Sequence, residues 1–327
     1  MPELRKDYLL NEFVIIAKER SKRPQDFIKK NNQIENNNNK INSDIKKDID
    51  FFEKGNENLT PPEIGRRENQ NGWYIRYFQN KFPAVLEEGD NNLKTENQFF
   101  TFSDAVGTHE VIVDVPDIKD ELADLSTEHI KELLKVYNER IIELSKNNKI
   151  KYVSVFKNHL EEAGASIKHS HSQVIGLNVV PKNIMKKIEI SKKHGKEIYK
   201  NIIEIEKKSE RFVFENDNAI AFTPFASKYP FELWIFPKRY VNKIEELNEE
   251  ELIDISKILK STLLKLKEIN APYNFFIHYA PNEHEMHLHF IICPRLNLYG
   301  GFELSTEIII NTVSPEEAAK FYKSKNK

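Results

Sequence analysis

The sequence predicts an α+β protein made of two like halves, each a mainly antiparallel sheet with covering helices. Three observations carry this prediction. The order strand pair, helix, strand, His-x-His strand occurs twice along the chain. His169-x-His171 and His287-x-His289 stand 118 positions apart. His109-Glu110-Val111-Ile112-Val113 finds a parallel in Phe231-Glu232-Leu233-Trp234-Ile235. The halves are expected at 1–180 and 181–327.

A chain of 327 residues with 39% hydrophobic content can bury a full core. Lys and Arg number 49 against 51 Asp and Glu, a net charge of −2. No global basic field recruits nucleic acid or an anionic membrane, so anionic ligands must be met by local groups. The single cysteine, Cys293, excludes an intramolecular disulfide and fits a reducing compartment. No early apolar run follows Met1 and no stretch of about 18 apolar residues occurs, so a cytoplasmic protein is expected.

The opening, Glu3 to Ala17, reads as a polar lead into a short apolar strand. Arg20-Ser21-Lys22-Arg23-Pro24 follows, a basic turn. Residues 29 to 49 are rich in Lys, Asn and Asp and hold too little apolar surface to order themselves, so a mobile loop is expected there. Trp73 to Phe78, Phe99 to Phe102 and His109 to Val113 read as strands. From Thr127 to Leu144, apolar residues recur at helical spacing (Ile130, Leu133, Leu134, Tyr137, Ile141, Leu144), with Ser126 or Thr127 as N-cap. Pro181 opens a segment through Lys208 patterned as one helix. Strands then resume over Arg211–Glu215, Ala219–Thr223 and Phe231–Phe236. A helix covers Asn248–Lys267, and Asn274–Tyr279 is a strand before the second His-x-His run.

The chemistry concentrates at Phe156-Lys157-Asn158-His159, Ala163-Gly164-Ala165-Ser166 and His169-Ser170-His171-Ser172-Gln173. A period of two puts His169, His171 and Gln173 on one strand face, behind a small-residue turn that a ligand can approach closely. An imidazole there can be a metal ligand, or a nucleophile and proton carrier. His278, His284, His287 and His289 form a second cluster within twelve positions, a pattern that suits zinc or iron.

Phe-x-Asn-His, Gly-x-Ser and His-x-His-x-Gln, in that order, resemble the active-site signature of the galactose-1-phosphate uridylyltransferase family. That family lies within the histidine-triad superfamily, and ADP-glucose phosphorylases share the signature. The resemblance implies two histidine-triad-like halves and a double displacement. His171 would attack the α-phosphorus of a nucleotide sugar, and Gln173 would donate to the phosphoryl oxygen. Gln stabilises charge but cannot act as a general acid or base, which suits an intermediate kept for a second substrate.

The resemblance also implies that Arg20 and Arg23 meet substrate phosphates, and that Asn80 and Asn158 position the nucleotide beside Gly164, Ala165 and Ser166. Gly300 to Leu304 resembles a sugar-binding strand, with Phe302 and Glu303 at the hexose. Leu160 stands where relatives often have Gly. Where the family carries two zinc cysteines, this chain has Asp50 and Glu53, with His109 and His169 matching the zinc histidines. A structural two-carboxylate, two-imidazole site or a lost metal would follow. His278, His287 and His289 match a second metal set, for which Glu189 is the nearest carboxylate. No organic cofactor is implied. The implied activity is transfer of UMP between UDP-hexose and hexose 1-phosphate. Alternatives are a phosphorylase of ADP-glucose or dinucleoside polyphosphates, and a catalytically silent nucleotide- or metal-binding protein. Ile308, Ile309 and Ile310, where galactose enzymes place a sugar-reading Gln, count against galactose. A homodimer is the implied assembly.

Overall fold

A computed structural model describes residues 1–22 and 49–324. Arg23 and nearly all of the 29–49 segment lie outside the described residues. The strands are β1 (Glu3–Lys6), β2 (Phe13–Ile16), β3 (Glu63–Asn69), β4 (Gly72–Gln79), β5 (Lys94–Glu96), β6 (Phe100–Phe102), β7 (Gly107–Val113), β8 (Tyr152–His159), β9 (His171–Leu177), β10 (Phe212–Glu215), β11 (Ala219–Phe222), β12 (Leu233–Pro237), β13 (Tyr273–His278), β14 (His289–Pro294) and β15 (Ile309–Asn311). The helices are α1 (Thr127–Ser145), α2 (Lys182–His194), α3 (Glu197–Lys207), α4 (Glu249–Glu268), α5 (Gly301–Thr306) and α6 (Pro315–Lys323).

Ten strands form one sheet in the order β10-β11-β12-β14-β13-β8-β9-β7-β4-β3. Every neighbouring pair is antiparallel. In chain order, the two sides of the β8–β13 pair repeat one connectivity: three strands, a helix, then two strands. The expected α+β duplication is therefore present, and the halves share a single sheet, with Phe156 opposite Phe276 and Asn158 opposite Asn274 at the seam. β1, β2 and β15 make a separate small sheet, which ties the beginning of the chain to its end.

Helices α1 and α4 pack on each other and cover one face of the large sheet. Both begin on side-chain caps: Ser126 accepts from the His129 N–H, and Asn248 accepts from that of Glu251. All six apolar positions expected in α1 are buried, each contributing roughly 1.5–3 kcal/mol by leaving water.

The single helix expected over 181–208 is two. Gly195, with φ at +71°, closes α2, because that left-handed conformation costs glycine little and stops helical hydrogen bonding. The segment 301–306, expected as a strand, is the short helix α5, in which the Glu303 carboxylate accepts from the Gly300 N–H.

The other face of the large sheet differs between halves. In the second half α2, α3 and the segment around Tyr8 lie over it, and Tyr199 packs on Phe236, His287 and His289. In the first half Phe52, Trp73, Phe78, Val111 and Val113 make only a small separate apolar cluster.

Candidate active site

His171 opens β9 with its ring on that less covered face, edge-on to Phe52 with the ring centres 5.4 Å apart. Its Nδ1 lies 2.8 Å from the carbonyl of His169. A carbonyl only accepts, so Nδ1 carries the proton and a neutral ring leaves its lone pair on Nε2. Burial holds the imidazole below its usual range, against the opposing pull of the His169 carbonyl. Among the described residues nothing bonds to Nε2.

Gln173 lies two residues on, facing the same side, and is cross-paired with Val111 of β7. The Ala84 N–H donates to Nδ1 of His109 at 3.1 Å, so the His109 proton sits on Nε2 and is donated to Gln173 Oε1 at 2.8 Å. Asn80 Nδ2 is 3.1 Å from that same Nε2, and the Asn80 Oδ1 accepts from the Phe82 N–H. With Oε1 engaged, the Gln173 amide has its N–H groups left to offer an anion. This corrects the expected role of His109. It points toward the amide and not toward His169, because its place on β7 puts both ring nitrogens among Ala84, Asn80 and Gln173.

The turn after β8 is held from across the seam. Asn274 Nδ2 donates to Asn158 Oδ1 at 2.9 Å and to the Ala163 carbonyl at 2.8 Å, while Asn158 Nδ2 donates to the Gly164 carbonyl at 3.2 Å. Gly164 has φ at +91°, and Leu160 is held at +68°, a conformation that is costly for leucine. Gly164 and Ser166 are exposed on this turn, with Ala165 half-buried between them.

Asp50, Glu53 and His169 bring three donor atoms within 4.8 Å of one another. His169 Nδ1 is 2.6 Å from Asp50 Oδ2 and 4.0 Å from Glu53 Oε2, and its Nε2 faces the Val115 carbonyl. Burial alone would raise the Asp50 carboxyl, but the His169 ring and the Phe52 N–H hold it below the usual carboxylate range. Two carboxylate oxygens and one imidazole nitrogen suit a divalent ion that accepts oxygen ligands, with solvent completing the shell.

The second set does not fit a metal. Lys187 of α2 puts its ammonium 2.9 Å from His278 Nδ1 and 2.8 Å from His289 Nε2, on the side where a bridging cation would sit. Two cations cannot share that space. Nδ1 and Nε2 of His287 lie 3.1 and 3.0 Å from the carbonyls of Val241 and Pro237, and Glu189 is exposed, facing away. Burial pushes Lys187 down to about 8, and burial followed by the nearby ammonium depresses His278 and His289 well below the imidazole range.

Arg20 sits half-buried in the turn Lys18–Lys22, and among the described residues no contact joins it to His171. On α5, Phe302 is exposed and Glu303 half-buried. Lys187 and Asn274 belong to no motif in the sequence. The signal for Lys187 was available in its spacing, since Ile184, Lys187, Ile188 and Ser191 share one helix stripe, which is the buried one.

Residues 84–321 match the family model described as a domain of unknown function, DUF4921. The chain is 35% identical over 334 residues to an ADP-glucose phosphorylase of Arabidopsis thaliana, covering 98% of this chain and 92% of that one. It is 30% identical over 261 residues to a galactose-1-phosphate uridylyltransferase of Thermotoga maritima, covering 74% and 82%. The crystal structure of an Arabidopsis thaliana ADP-glucose phosphorylase with bound ADP-glucose superposes with a TM-score of 0.82 at 31% identity, over 100% of both chains. The duplicated sheet, the His-x-His-x-Gln strand and these full-length similarities together establish that the chain belongs to the galactose-1-phosphate uridylyltransferase family, whose members include ADP-glucose phosphorylase.

Proposed function

We propose that this chain transfers a nucleoside monophosphate from a nucleotide sugar to a phosphate-bearing acceptor through a covalent intermediate on His171. The observation that carries the reading is the open Nε2 of His171 beside an amide whose oxygen is already taken. In the first step Nε2 bonds to the α-phosphorus and the bond to the sugar phosphate breaks, releasing sugar 1-phosphate. The Nδ1 proton stays on the His169 carbonyl hydrogen bond, which stabilises the cationic ring as it forms. Gln173 donates to a phosphoryl oxygen, and Asn80, Asn158 and the turn Gly164-Ala165-Ser166 position the nucleotide. Arg20 and Arg23 would answer phosphate charge, and Phe302 and Glu303 would meet the sugar. In the second step an acceptor phosphate oxygen displaces the imidazole.

Full-length similarity to ADP-glucose phosphorylase favours ADP-glucose as donor and inorganic phosphate as acceptor. Transfer of UMP from UDP-hexose to hexose 1-phosphate is the second reading, favoured by the relatives that carry that name. Asp50, Glu53 and His169 would hold a divalent ion with a structural purpose, fastening the 50–57 segment to the strand that enters His171. Exposed Phe82, Leu93, Phe99, Phe100 and Phe102, on and around the β5–β6 hairpin, support a homodimer, testable by sedimentation.

The test uses ADP-glucose and UDP-glucose labelled at the α-phosphate. Wild type should acquire acid-labile label from the true donor, and phosphate or hexose 1-phosphate should remove it. No label from either, or equal label on H171N, refutes the covalent mechanism.

A further inference from the structure

Behind His171, on the helix-covered face of the sheet, lies a buried polar cluster that the reaction outlined above does not use. Lys157 of β8 and Asp114, just after β7, form an ion pair with Nζ 2.6 Å from Oδ2, at 1% and 0% side-chain exposure. The same ammonium donates to the His171 carbonyl at 3.1 Å and to Ser170 Oγ at 2.9 Å. Ser172 Oγ donates to Asp114 Oδ1 at 2.9 Å, and Tyr137 Oη of α1 donates to Ser172 Oγ at 2.6 Å. The Asp114 N–H donates to the Ser170 carbonyl. Residues 170, 171 and 172 are each tied by this cluster.

The duplicated fold provides an internal comparison. By strand register, Asp114, Ser170, Ser172 and Lys157 occupy the places that Pro237, Leu288, Phe290 and Ile277 hold in the second half. Those four are apolar and buried. Hydrocarbon therefore satisfies the fold at this spot, and a desolvated ion pair is a poor source of stability where apolar packing would serve. The cluster exists only behind the histidine that has an open ring nitrogen.

We propose that Lys157, with Asp114, Ser170 and Ser172, is a positioning cluster that locks the backbone of residues 170–172. This lock keeps the His169 carbonyl on Nδ1 and the Nε2 lone pair aimed at phosphorus. The proposal rests on His171 as nucleophile. None of the four touches the reacting atoms.

The test compares full-length wild type, K157M/D114L and K157R. The double variant replaces the ion pair with hydrocarbon, and because Ser170 and Ser172 lose a buried partner it should fold but melt a few degrees below wild type. In two-bond ¹H–¹⁵N spectra, His171 of wild type should be one tautomer protonated at Nδ1, whereas the double variant should show both tautomers. Transfer of label to the enzyme in a single turnover should fall by about 100-fold at saturating donor, with half-saturation changed less than about threefold. K157R, which keeps the charge, should recover part of the rate. A folded double variant with one tautomer and the wild-type rate overturns the proposal. If wild type takes no label but the tautomer change occurs, the nucleophile reading fails and the positioning stands. If the double variant does not fold, K157Q/D114N is read in the same way, and failure of both to fold makes the cluster a folding requirement and overturns the proposal.

Discussion

The two halves hold their histidines by the same device and then treat them in opposite ways. His171 and His289 each have Nδ1 2.8 Å from the carbonyl two residues earlier, and in the second half, where hydrocarbon lies behind the strand, the Lys187 ammonium on Nε2 fixes that tautomer. They differ in where a lysine stands. In the first half an ammonium lies behind the strand and Nε2 is left open. In the second it lies in front, against Nε2 of a ring with no exposure. On the proposed mechanism, reactivity would follow from the access and aim of one nitrogen, and the histidine alone would not supply it.

The sharpest way to break the comparison is to exchange the two histidines for asparagine. H171N should lower label transfer by about 10³-fold or more, while H289N should leave the rate of the folded protein within about threefold. Equal losses would mean that the sealed half takes part in chemistry.

A second measurement concerns the ammonium in front. Lys187 is depressed to about 8 from its ordinary 10.5, so between those pH values the unfolded chain holds a proton that the folded chain has shed. Unfolding free energy should therefore rise with pH across that window, by on the order of 3 kcal/mol, in wild type but not in K187M. Urea titrations at a series of pH values check this.

Gln173 sharpens the comparison further. H109A frees its amide to rotate, and the single-turnover rate should fall by about tenfold with the melting temperature little changed. The smallest effect is expected at Leu160. L160G removes a side chain from a φ of +68° and should stabilise the protein by about 1 kcal/mol, read from its denaturation midpoint.

Much of this architecture was legible because its signals are local. The repeated His-x-His runs marked matching strands, and Ser126 and Asn248 marked helix starts that their side chains do cap. What escaped depends on which face of an element is covered. Glu189 looked like the partner of the second histidine cluster, yet Lys187, two residues away on α2, is the one turned inward. His109 read as a metal ligand because residue type does not reveal which strand it crosses. Lys157, set between Phe156 and Asn158 inside the motif, carried no role of its own in the sequence. Its signal was that Ser170, Ser172 and Lys157 are all polar on a face that a helix should have required to be apolar. The backbone break at Gly195 left a helical pattern intact on both sides, so periodicity ran straight through it.

The seam between β8 and β13 makes the halves mutually dependent. Cleaving the chain near residue 180 would not yield two small proteins, because separation would strip β8 and β13 of their partners and leave two sticky edges. It would also take Asn274 away from the turn that holds Asn158 and Ala163. The sealed half therefore persists as the other's frame, and fragments should recombine with each other sooner than survive alone.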